Sequence, residues 1–109
     1  MTISNLFTLP DALPSEELFE VLLQGNHVKV ERIISSGQVT PPEQWYDQQQ
    51  DEWVIVLQGK AILTLWDREA TISLEAGDYL LISAHQRHRV EYTSRKPPCI
   101  WLAIHGQFS

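Results

Sequence analysis

The sequence predicts an all-β sandwich or barrel, on three observations. From residue 27 onward, apolar side chains tend to recur at every second position rather than every third or fourth. The apolar runs are short and rich in β-branched residues. Gly, Pro and Asp turns separate them at regular spacing. The chain of 109 residues is long enough for one domain, and its 43% apolar content can supply a core.

Residues 1–26 read as an arm and a short helix, ahead of a single barrel domain over 27–109. In PSEELFEVLLQG (14–25) Ser15 can cap a helix, with Glu16 and Glu17 in its first turn. Leu18, Val21 and Leu22 share a helical face, and Gly25 can stop it. HVKVERIIS (27–35) is the first strand expected, broken by Gly37 and the Pro41–Pro42 pair. EWVIVLQG (52–59) is a strand closed by Gly59, and KAILTLW (60–66) is its neighbour. DRE (67–69) reads as a turn, and ATISLE (70–75) as a strand with Ile72 and Leu74 inward. AGD turns the chain into YLLI. HRVEYT (88–93) alternates, which puts His88, Val90 and Tyr92 inward and Arg89, Glu91 and Thr93 outward. CIWLAIH (99–105) is the last strand. The runs around Val54–Leu57 and Ile100–Ile104 are apolar on both faces and need cover on both. One cover is the barrel interior. The other is the N-terminal helix or a second copy of the chain, so a homodimer is expected.

A net charge of −6 and a pI near 5.0 argue against nucleic-acid or anionic-membrane partners. No apolar run approaches the ~18 residues that cross a bilayer. MTISNLFTLPDALPSEELF lacks a basic segment followed by an apolar one, so no secretory signal is expected and the cytoplasm is the expected location. The single cysteine, Cys99, excludes an internal disulfide and lies in an apolar run, as a core residue does. Phosphate-loop, CxxC and GxSxG patterns are absent, which removes nucleotide, dithiol and esterase chemistry.

The residues that carry chemistry are fewer. The alternation aims His88 inward, and it places Glu52 on one face with Val54 and Val56. If both faces point into one barrel, an acid and an imidazole share an apolar interior. A buried carboxylate needs a partner there, whether a metal, the imidazole itself or ordered water. Trp45 and Tyr46 follow a Pro-Pro loop and read as aromatic contacts at a pocket entrance, with Trp45 equally readable as a core plug. His85, Arg87 and Arg89 read as a solvated face or as a positive rim for an anionic ligand. Glu43, Asp47, Asp51 and Glu52 could pair with them across the mouth. His27 and His105 fall at strand ends and read as structural or surface residues.

These segments, DEWVIVLQGKAILTL, LEAGDYLLISAHQRHRVEYT and CIWLAIH, resemble a small single-domain cupin of the conserved-barrel type. The first cupin motif ends in Glu, six residues, then Gly, matched by Glu52 and Gly59. The second opens on Gly and an acidic residue and closes on His, matched by Gly77, Asp78 and His88. Ser83 and His85 stand where its turn has proline and glycine. The resemblance implies a double-stranded β-helix, a jelly-roll barrel, often holding one divalent metal such as Fe, Mn, Ni or Zn. The family's His-x-His pair falls on Tyr46 and Gln48, or on Trp45 and Asp47 after a one-residue shift, and neither register contains histidine. First-row metals take three or four donors, so a site here would need Asp47 or Gln48 beside Glu52 and His88, with His85 a further imidazole if its loop folds inward. The expected function is binding of a small-molecule ligand in a pocket of Trp45, Tyr46, Gln48, Glu52, His88 and Tyr92. The alternative is a metal-dependent enzyme of dioxygenase, isomerase or decarboxylase type. Without metal, Glu52 and His88 could still serve as acid and base.

Overall fold

In a computed structural model, which describes residues 1–67 and 70–108, the alternating segments become eight strands. They are β1 (Leu18–Gln24), β2 (Lys29–Ser35), β3 (Asp51–Gln58), β4 (Lys60–Leu65), β5 (Ala70–Glu75), β6 (Tyr79–Ile82), β7 (His88–Thr93) and β8 (Cys99–Gly106). Most of the turn expected at 67–69 lies outside the described residues. The strands pair antiparallel in two sheets, one ordered β1-β2-β8-β3-β6 and one ordered β5-β4-β7. Among the described residues no helix is long and apolar enough to cross a membrane.

The inner faces meet in one core. Val54 and Val56 of β3, Trp101 and Ala103 of β8, and Ile82 of β6 cluster with Leu63 of β4 and Leu74 of β5. Every second residue is buried from Glu52 to Val56 of β3 and from Ala61 to Leu65 of β4, as one inward face per strand requires. Burying one such aliphatic side chain stabilises the fold by roughly 1.5–3 kcal/mol. The Trp101 indole nitrogen donates to Ser35 Oγ at 3.2 Å, so its polar atom is not stranded in the core.

Two sequence expectations are corrected. The segment expected as an N-terminal helix is strand β1. LFEVLLQ carries a period-two set, Phe19, Val21 and Leu23, as well as its helical one. A helix of this length is marginal alone. As a strand it pairs with β2, setting Phe19 opposite Ile33, and satisfies a backbone edge that would otherwise stay open. The pairing slips between Val21 and Leu23, a bulge at Leu22. The outer side of β2 is covered by the arm before β1. Arg32 donates to the carbonyls of Leu6 (2.9 Å) and Thr8 (2.7 Å) and pairs with Glu20 of β1 at 2.6 Å.

The second correction concerns Tyr92. Strand β7 pairs Val90 with Leu63 and Tyr92 with Ile62, so Glu91 is an extra residue in the ladder. Beyond this bulge the faces exchange. Thr93 is buried at 2% exposure, whereas Tyr92 is 45% exposed and turned away from the interior.

The β3–β4 connection is a tight turn at Gly59, whose φ is +84°. A Cβ there would meet Ser94 Oγ and come within 3.0 Å of the Cys99 backbone. At Gly77, with φ +93°, a Cβ would meet nothing. Gly59→Ala should therefore destabilise more than Gly77→Ala, which carries only the backbone strain of roughly 1–3 kcal/mol. Urea unfolding of the two variants checks the order. Leu63→Ala, at a site 2% exposed, should cost about 2–5 kcal/mol in the same assay.

Candidate functional site

Between the sheets lies a cavity of about 80 Å³. Its walls are largely apolar, formed by Val54, Leu63, Ile82, Val90 and Trp101, with Ile33 on β2. Its polar groups come from several separate parts of the chain. Glu31 is on β2, Glu52 on β3, His88 on β7 and His105 on β8, while the loop before β3 adds Tyr46 and Gln48. Glu17 and Phe19 bring the β1 segment to the lining.

The loop is positioned by backbone hydrogen bonds to the start of β7. Tyr46 N–H donates to the His88 carbonyl at 2.8 Å and His88 N–H to the Tyr46 carbonyl at 3.1 Å. His85 N–H donates to the Gln48 carbonyl at 2.7 Å. An extended segment held this way sends alternate side chains to opposite sides. Tyr46 and Gln48 turn to the cavity. Trp45 and Asp47 turn out of it, which corrects their expected places in the pocket and the metal set. Trp45 packs edge-on against Trp66, with centroids 5.0 Å apart, and under Arg89. Asp47 meets His85 Nδ1 at 2.9 Å and Arg87 at 3.8 Å, pairing charges across the mouth. His85 has φ +64°, taking up the left-handed conformation of the motif's glycine.

His88 has a defined hydrogen-bonding role. Its Nδ1 lies 2.9 Å from the Gln86 carbonyl, which can only accept, so Nδ1 carries the proton. In the neutral ring Nε2 is then a free acceptor, and it lies 3.8 Å from Glu52 Oε1. Tyr46 stacks on the same ring at 5.5 Å. On the other side, His105 Nε2 sits 4.0 Å from Glu52 Oε2 and 2.7 Å from Glu31 Oε1. Glu52 thus stands between two imidazoles, with neither at hydrogen-bond distance.

The two carboxyl groups are driven in opposite directions. Burial pushes the Glu52 pKa up, opposed by His105 and His88 and reinforced by Glu31. The His105 hydrogen bond holds the Glu31 pKa down, against desolvation and with help from Lys29. The two carboxyl groups therefore differ in proton affinity although both line the same cavity. Gln48 adds an acceptor, because its buried Oε1 has no hydrogen-bond partner among the described residues.

Glu31 and His105 were not among the residues expected in the site. The signal was there, since Glu31 keeps step with Ile33 and His105 with Trp101 and Ala103, all facing inward. Reading His105 as the end of a strand hid that phase.

A divalent metal of the kind common in cupins does not fit these donors. Glu52 and His88 occupy ligand positions, but Tyr46 and Gln48 replace the two histidines and Asp47 lies outside. Among the described residues no group of three or more His, Cys, Asp or Glu side chains is arranged to hold a metal ion. Chelator treatment should therefore leave the melting temperature unchanged within error. Elemental analysis of protein purified without an affinity tag should find substoichiometric metal.

The carboxyl shifts also fix a pH dependence. A raised Glu52 pKa means its contribution to stability is full below the ordinary glutamate value and is lost as pH rises through the folded value. Glu52→Gln should raise the urea midpoint at pH 8, with the gain fading on acidification. Glu31 behaves oppositely, its contribution being lost as pH falls through its lowered value. Glu31→Gln should cost about 1–3 kcal/mol at neutral pH, and less in acid.

The comparisons agree with this architecture. The Cupin domain family model matches residues 30–105, and the chain belongs to that family. It folds as a cupin double-stranded β-helix. The crystal structure of a protein from Ralstonia eutropha JMP134, provisionally named a mannose-6-phosphate isomerase, is 41% identical. The match covers 99% of this chain and 100% of that one, with a TM-score of 0.92. A cupin superfamily protein from Desulfitobacterium hafniense DCB-2 is 21% identical, over 91% of this chain and 84% of that one, with a TM-score of 0.74. A cupin with a double-stranded β-helix fold from Methanocaldococcus jannaschii is 14% identical, over 98% and 94% of the two chains, at a TM-score of 0.69. No curated protein matches the chain.

Proposed function

We propose that this cupin binds a small organic molecule in its barrel and moves a proton on it, as an isomerase does. One observation carries the reading. Glu52 is buried at 7% exposure, its pKa is raised, and it faces His88 Nε2 and His105 Nε2 across gaps of 3.8 and 4.0 Å. A raised carboxyl pKa brings the group towards the pH at which it can both give and accept a proton. The 41% identical relative, provisionally named an isomerase, supports the reaction type.

On a hydroxy-carbonyl ligand the groups divide the work. Neutral His88 Nε2 takes the proton from the carbon beside the carbonyl. Protonated Glu52 gives one to the carbonyl oxygen, and an enediol results. Return of a proton to the neighbouring carbon, and loss of one from the other oxygen, complete the shift. His105, held by Glu31, keeps a polarising group beside Glu52. Apolar walls limit water at the reacting carbon.

The test is exchange in D₂O. Aldoses, ketoses and their phosphates are incubated with the protein, and NMR follows loss of the proton next to the carbonyl. At least one compound should exchange. Glu52→Gln and His88→Gln should each slow that exchange by about 10²–10⁴-fold. Binding with no exchange in any compound would leave a ligand-binding protein and refute the proton transfer.

A further inference from the structure

The ligand's chemical class follows from the cavity's charges and hydrogen-bonding groups. This inference deepens the proton-transfer reading and rests on it for what the ligand undergoes.

Anions find no counter-charge inside. Among the described residues no lysine or arginine lines the cavity. The positive groups of adjoining segments are engaged elsewhere. Arg87 lies 3.8 Å from Asp47 and against Trp66, and Arg89 lies 2.8 Å from Glu91 and over Trp45. Lys29, which does not line the cavity, is 3.8 Å from Glu31. Phosphate sites are built from arginine or lysine side chains or from helix N-termini, and the described secondary structure is all strand. The carboxyl groups of Glu17 and Glu31 would oppose a phosphate dianion instead.

Cations fare no better. Glu31 is taken by His105 at 2.7 Å, Glu17 accepts from the Ser35 hydroxyl, and Glu52 already faces two imidazoles. Among the described lining residues no carboxyl group stands clear of a hydroxyl or imidazole neighbour to receive an ammonium group.

What the cavity does offer is acceptors. Gln48 Oε1 is buried without a partner among the described residues, and in the neutral His88 ring Nε2 is an acceptor once Nδ1–H has bonded the Gln86 carbonyl. Acceptors in a dry site demand donors, because an unmade hydrogen bond there is costly. Trp101 and Val54 form a wall suited to the C–H face of a ring. Hydroxyls on one edge and C–H groups on the other describe a sugar or polyol. We infer that the pocket takes an uncharged polyhydroxyl compound and turns away its phosphate ester.

Matched pairs test this. Mannose against mannose 6-phosphate, and glycerol against glycerol 3-phosphate, are titrated into the labelled protein, with ethanolamine as a cation. NMR follows the ring signals of His88 and His105. A neutral compound should shift both signals saturably, with a dissociation constant at least tenfold below that of its phosphate ester, about 1.4 kcal/mol. Equal or tighter binding of a phosphate ester overturns the inference. So does ethanolamine binding more tightly than the neutral compounds, and so does the absence of a saturable shift with either neutral compound. Phe19→Arg, at a lining residue 54% exposed, places a cation beside the cavity and should tighten the ester relative to the neutral sugar. If that variant does not fold, the pairs on the unaltered protein decide alone. Neutral binding without proton exchange would refute the proposed chemistry and leave this inference standing. Exchange confined to phosphate esters would do the reverse.

Discussion

A carboxyl group on the inner face of a sheet is the constraint around which this barrel is organised. Glu52 lies in phase with Val54 and Val56, so the pleat that buries the valines carries the acid into the interior with them. Removing an ionised carboxylate from water without compensation is expensive. Two imidazoles answer it, His88 from the opposite sheet and His105 from the adjacent strand, registered across from Glu52 itself. Compensation is partial, because neither contact reaches hydrogen-bond length. The residual imbalance gives the acid an affinity for protons that a solvated glutamate lacks.

Much of this arrangement was legible in the sequence, for a plain reason. Strand faces repeat every two residues, and that rule needs no knowledge of partners. It located β2 to β8 and put Glu52 and His88 indoors. It failed wherever a partner strand altered the count. LFEVLLQ satisfies both periods, and only the open edge of β2 decides between them. Tyr92 follows an extra residue that becomes visible only in the pairing of β7 with β4. Trp45 and Asp47 were ambiguous until two hydrogen bonds to His88 fixed which side of the loop faced in. Glu31 and His105 obeyed the rule throughout, but nothing local showed that they would meet.

The resemblance to cupins and the donor count pull in different directions, and the structure explains how both hold. Barrel closure depends on the apolar pleat, Gly59 and the turn at His85, all of which are present. Metal binding depends on two side chains in the loop before β3, and that loop keeps its backbone hydrogen bonds whatever it displays. Tyr46 and Gln48 could therefore replace histidines without disturbing a strand. The same loop then supplies an aromatic face and a lone amide oxygen to the cavity.

Strand β1 pairs along one flank only, through a ladder broken at Leu22, while its Phe19 contributes to the lining. A border of that kind is the least constrained wall of the chamber. The acid and one imidazole sit instead on β3 and β8, strands with neighbours on both flanks. A substitution on β1 can therefore alter the cavity's lining without disturbing the strands that hold the acid and that imidazole.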